Sequence, residues 1–117
     1  MKPLIYILGL IYTASGCAKL LGLGFELEAF ARWGYPIYFM YFIGVCEVLG
    51  GLALIINILR HLAALGLSLL MCGALITHAI NSEWVMLLVA TIILVLTSWL
   101  TATLWKTVFK GAEKPEI

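Results

Sequence analysis

Four apolar stretches, each long enough to cross a bilayer as a helix, account for most of this 117-residue chain. A helical span needs about 20 mostly apolar residues, because the hydrocarbon core is about 30 Å thick and a helix rises about 1.5 Å per residue. The stretches cover roughly 3–23, 36–57, 60–80 and 84–105. Short connections around 58–60 and 81–83 force antiparallel neighbours. Charged residues make up only 11% of the chain. A soluble domain carries roughly 25%, so this chain could not cover a water-facing surface. The expected fold class is an all-α membrane protein, a four-transmembrane-helix bundle in a single domain. Residues 25–33 read as a short interfacial helix between the first two spans. Its Glu28 and Arg32 form an i,i+4 pair on one side, and Phe25, Ala29, Phe30 and Trp33 face the lipid on the other.

Lysine and arginine set the orientation. With the N-terminus inside, the inner segments carry Lys2, Arg60, Lys106, Lys110 and Lys114, and the outer segments carry only Arg32. The outer loops are acidic, with Glu26, Glu28 and Glu83. The expected topology is N-in/C-in, with a cytoplasmic tail over 106–117. A net charge of +1 gives no basic field, so nucleic acid is not an expected partner. Lys2, the apolar run after it and Ala14-Ser15-Gly16-Cys17 imitate a lipoprotein signal. The chain then continues as Ala18-Lys19-Leu20-Leu21, an apolar helix rather than a polar linker, so the segment reads as the first span.

Small residues should form the helix contacts, since helices in lipid associate by close packing. Ala14, Ala18 and Gly22 recur at four-residue intervals in the first span. Cys46, Gly50 and the adjacent Gly51 mark the second, and Ala64, Ser68 and Cys72 the third. Thr97, Ser98, Thr101 and Ala102 mark the fourth. This reading treats the cysteines as packing residues. Cys17, Cys46 and Cys72 show no CxxC and no zinc-type spacing, so no metal site is expected.

An ionisable side chain inside a span is costly and usually faces the protein interior. Three stand out: Lys19, Glu47 and His78. Glu47 lies ~16 Å below the start of its span, and Lys19 ~7 Å from the outer end of its own. Lys19 either snorkels to the outer headgroups or pairs with Glu47. The ~9 Å difference in depth calls for tilt or a bridging water. His78 reads most simply as an interfacial residue bonded near a helix end. Ser15 stands one turn before Lys19 and could line the same space. Together these four residues suggest a polar pocket opening toward the outer face, able to take the head group of a quinone, a lipid or another small amphiphile. There is no phosphate loop, HExxH or GxSxG. Nor is there a haem, iron–sulfur or flavin signature, so no cofactor is expected to be held by this chain alone.

The order of these features is familiar. GLIYTASGCAKLLGLGFELEAFARWGYP, then YFIGVCEVLGGLALI, then RHLAALGLSLLMCGALITH resembles the DoxX-like family of small four-helix bacterial membrane proteins. The likeness extends to about Asn81. It implies the bacterial inner membrane and an association with membrane redox chemistry, the family name coming from a subunit of a thiosulfate:quinone oxidoreductase. Lys19, Glu47 and His78 occupy the matching positions, with Gly50 and Gly51 as packing glycines. The bundle of vitamin K epoxide reductase is similar too, but its chemistry needs a CxxC pair that this chain lacks. The leading expectation is an accessory subunit of a quinone-linked membrane oxidoreductase, non-catalytic by itself. Besides the lipid bilayer, its partners would be other membrane subunits or further copies of itself. The rivals are a stand-alone enzyme or small-molecule binder using the Lys19–Glu47–His78 pocket, and a scaffold presenting the hydroxyl-rich fourth span.

Overall fold

A computed structural model describes residues 2–110. All regular structure among them is helical: α1 (Lys2–Leu20), α2 (Gly24–Trp33), α3 (Ile37–Ile56), α4 (Arg60–Ile80) and α5 (Trp84–Phe109). α1, α3, α4 and α5 are each long and apolar enough to span a membrane. Their outward faces carry large apolar side chains open to the surroundings, such as Leu10, Leu49, Leu88 and Trp99. Water would penalise that surface at roughly 25 cal/mol per Å², whereas acyl chains do not. Lipid is therefore the medium this exterior suits.

Two helix ends differ from the sequence reading. α1 stops at Leu20 and not at residue 23, because Gly22 turns left-handed at φ +66°. The amide of Leu23 then donates to the Ala18 carbonyl and closes the helix. α5 continues to Phe109 beyond the expected end at 105. At 1.5 Å per residue it is about 39 Å long, which carries Lys106 past a 30 Å hydrocarbon core. The polar segment expected over 111–117 lies outside the described residues.

The α3–α4 turn is tight, with Asn57 and Leu59 both at positive φ. Arg60 is buried beside it. Its Nε donates to the Leu54 carbonyl at 2.7 Å, and Nη2 reaches the Ile55 carbonyl at 3.5 Å. A guanidinium at a helix C-terminus both caps the free carbonyls and opposes the negative end of the dipole.

The bundle is built as two pairs, α1 on α3 and α4 on α5, with fewer contacts between the pairs. The α1–α3 seam corrects the packing assigned from sequence. Gly9 faces Gly51 and Gly16 faces Gly44, so closely that a Cβ on Gly16 would stand 2.6 Å from the Gly44 carbonyl oxygen. These glycines recur every seven residues on both helices, the spacing of helices that cross at a shallow angle. The four-residue series Ala14, Ala18 and Gly22 does not form this seam: Ala14 is exposed, Ala18 is half-buried and Gly22 lies in the turn beyond the helix. Gly50 packs on Leu67 of α4, and Ser68 hydrogen-bonds Thr101 of α5 at 3.1 Å. Cys72 is exposed.

Ile5, Leu8, Tyr12, Leu54, Ala64, Leu67, Leu100 and Leu104 fill the half of the bundle near the α3–α4 turn. Tyr12 and Thr97, both fully buried, join α1 to α5 at 2.9 Å. Beyond that bond, toward α2, the two pairs stay apart and a cavity opens between them.

Candidate functional site

The cavity has a volume of about 640 Å³ and draws its walls from all five helices. Such a volume is typical of small-molecule sites, which run from about 300 to 1,000 Å³. Its deeper walls are apolar, formed by Ile43, Leu70, Ala74, Ala90 and Ile93. Its α2 end is aromatic and charged.

α2 covers that end. Gly34, left-handed at φ +82°, terminates it, and the Tyr35 amide donates back to the Phe30 carbonyl. This reversal drops Phe30 into a cluster with Trp33, Tyr35 and Phe39, whose ring centroids lie 5.0, 6.1 and 6.4 Å from its own. Phe30 and Trp33 were assigned to the lipid side of this helix. They line the cavity instead, packed edge-to-face and tilted against Tyr35 and each other.

One polar group stands on α1 and α3. Lys19 Nζ is 3.0 Å from Glu47 Oε1 and 3.5 Å from Glu26 Oε2, and it donates to Ser15 Oγ at 3.0 Å. Ser15 in turn donates to Glu47 Oε1 at 3.1 Å. The contact is direct, and no bridging water is needed. The Gly16–Gly44 contact seats Lys19 Cβ within 3.0 Å of the Gly44 Cβ position, only one turn above Glu47. The lysine stem covers that turn. Glu26 was missed as a third member, its only sequence signal being a carboxylate seven residues after Lys19.

A second polar group closes the opposite wall. His78 Nδ1 lies 2.7 Å from Glu83 Oε1. Arg32 Nη2 and Nε lie 2.7 and 2.9 Å from Glu83 Oε2, which Trp33 Nε1 also approaches at 3.0 Å. Arg32 therefore pins α2 to the α4–α5 turn and does not pair with Glu28. Thr77 joins His78 in facing the cavity, bonded to Tyr35 Oη at 2.9 Å. His78 and Lys19 line the same cavity but belong to separate hydrogen-bonded groups.

Partial burial raises the Glu83 carboxyl. The hydrogen bonds from His78, Trp33 and Arg32, with the Arg32 charge, outweigh it and hold the group at about 2 against the ordinary 4.5. A depressed carboxyl contributes docking energy that is complete above its free value and lost as pH falls toward its bound one. α2 should therefore stay seated at pH 5 and loosen between about 4.5 and 2. Trp33 fluorescence, with the other tryptophans replaced by phenylalanine, should report this transition, and Glu83→Gln should remove it. A midpoint at or above the ordinary carboxyl value would contradict the assignment.

Cys17 and Cys72 are exposed, Cys46 is half-buried, all are free thiols, and none lines the cavity. Among the described residues no His, Cys, Asp and Glu side chains are grouped as a metal site. The Thr91, Thr97, Thr101, Thr103 and Thr107 hydroxyls all donate to the carbonyl four residues before them. The exposed Ser98 apart, α5 therefore does not present a stripe of free hydroxyls to a partner.

Four spans enclosing an apolar cavity with a charged end define a multi-pass membrane protein of the helix-bundle type. The sequence pattern of the DoxX-like family matches residues 4–100, and the chain belongs to that family. It is also 29% identical over 80 residues to an uncharacterized protein, YdgD, of Bacillus subtilis (strain 168), an alignment covering 65% of this chain and 70% of that one. No solved structure matches the chain.

Proposed function

We propose that this chain binds a small amphiphile within the membrane, head group under α2 and tail between the helix pairs. The observation that carries this reading is the cavity itself. It combines a volume of about 640 Å³, apolar walls at depth and a charged end beneath α2. A quinone and a lipid both have this division of polarity. In this reading the end near the α3–α4 turn is cytoplasmic, with both termini there and α2 on the outer face, which the bias of lysine and arginine toward that end supports, and the membrane is the bacterial inner membrane implied by the family likeness.

The redox association implied by the DoxX-like likeness supports a place as accessory subunit of a quinone-linked oxidoreductase complex. The chain would deliver or hold the amphiphile while a partner performs the electron transfer.

Gly73 offers a direct test. It lines the cavity, and a Cβ there would meet nothing within 4 Å. Gly73→Trp should fill the space without disturbing helix contacts. The protein extracted in mild detergent should carry a bound amphiphile detectable by native mass spectrometry, and Gly73→Trp should lose it while keeping its thermal midpoint. An unchanged bound species in that variant would remove the cavity from consideration. Co-extraction of a stoichiometric oxidoreductase would support the subunit role, and a chain that comes away alone would oppose it.

A further inference from the structure

Resting on the amphiphile-binding reading, the geometry points to the class of amphiphile: we propose that the cavity selects a cationic one, an ammonium or delocalised organic cation joined to an apolar body. Three observations converge on this. The first is the balance of charge. Glu26, Glu28, Glu47 and Glu83 line the cavity against Lys19 and Arg32, with His78 able to add one more positive charge. Glu28 is exposed, and Glu83 is engaged by Arg32, His78 and Trp33. The unbalanced place is Lys19, a single ammonium between two carboxylates. None of the three side chains is more than 12% exposed. With both carboxylates ionised, that group is one positive charge short of neutrality in a setting where net charge is costly.

The second observation is the supply of hydrogen bonds. An ammonium has three donors, and Lys19 directs them to Ser15, Glu26 and Glu47. The Ser15 hydroxyl donates to Glu47, the Trp33 indole to Glu83, and Tyr35 is paired with Thr77. Lys19, Ser15 and Trp33 thus have no donor to spare at this end. By contrast, Glu47 Oε2 and Glu26 Oε1 accept no hydrogen bond from any described residue. The cavity offers spare acceptors. Beside Lys19 an anionic head group would face two carboxylates, and a quinone carbonyl would find the Lys19 and Ser15 donors already engaged. A cationic head supplies what is missing.

The third observation is the aromatic wall. Phe30, Trp33, Tyr35 and Phe39 form it, and the Arg32 guanidinium already stands 5.9 Å over the Trp33 ring. Ring faces attract cations, most strongly where water is excluded. Carboxylates and aromatic rings together select for positive charge, and neither favours an anion.

Tetraphenylphosphonium and tetraphenylborate have nearly the same shape and opposite charge. Their binding to the purified full-length protein in a neutral detergent should be compared by equilibrium dialysis. Gly73→Trp serves as the blank for partition into the micelle. Tetraphenylphosphonium should bind at least tenfold more tightly than tetraphenylborate. Glu47→Gln should weaken it about tenfold, and Glu26→Gln, lying outside the spans, should do the same if the first variant is poorly folded. Lys106→Gln, at the far end of α5 and outside the cavity, should leave it unchanged. Equal affinity for the two ions, or preference for the anion, with binding still lost in Gly73→Trp, overturns the charge selection and leaves the cavity reading standing. Binding that Gly73→Trp does not alter, or no binding of either ion, overturns both.

Discussion

Lys19→Met is expected to cost about 3–5 kcal/mol, the penalty for stranding a buried charge without its partner. Its thermal midpoint in detergent should fall accordingly. The variant leaves Glu47 and Glu26 facing each other across a site from which water is largely excluded. Glu47→Gln should cost much less. Lys19 then keeps Glu26 and Ser15, and the group becomes neutral. Loss of one charge-assisted bond is worth about 1.5–3 kcal/mol, and the glutamine carbonyl recovers part of it. The double variant should be more stable than Lys19→Met alone, because only Glu26 at the mouth of the cavity then remains charged. Such coupling is the mark of contacting residues. If Glu47→Gln proved the more damaging single change, or the two effects simply added, the charge assignment of the group would be wrong.

The same group shows what could be read from sequence. The cost of charge in a membrane singled out Lys19, Glu47 and His78 without any structure, and the family likeness pointed to the same three. Their arrangement was not legible. Counting residues from the assumed span ends put Lys19 and Glu47 at different depths. The Gly22 turn shortens α1, and the glycine seam brings Lys19 down beside Gly44. Glu83 looked like ordinary loop acidity, since nothing local indicated that Arg32, His78 and Trp33 would converge on it from two other segments. α2 was visible as a helix. Which way its rings faced depended on a cavity that no single segment encodes.

The seam itself carries the other large expectation. Gly16→Ala should destabilise the bundle by up to about 3 kcal/mol, near the upper end for forcing a methyl group into a filled contact. The new Cβ would meet the Gly44 carbonyl oxygen at 2.6 Å and the Val48 amide nitrogen at 2.8 Å. Both are backbone atoms of a helix and cannot turn aside. α1 would have to move off α3. Because Lys19 sits one turn further along the same face, its ammonium would retreat from Glu47 as well. Gly9→Ala should be milder, since its closest obstacle is a side-chain atom, Ile55 Cγ1, and the nearest backbone atom, the Gly51 carbonyl oxygen, stands off at 3.0 Å. Gly73→Ala meets nothing within 4 Å and should gain roughly 0.5–1 kcal/mol from helix propensity. The ranking of the three thermal midpoints, Gly16→Ala lowest and Gly73→Ala highest, separates close helix contact from glycine content alone. A Gly16→Ala protein as stable as the parent would mean that α1 and α3 do not approach at this point, and the Lys19–Glu47 contact that depends on their approach would fall with it.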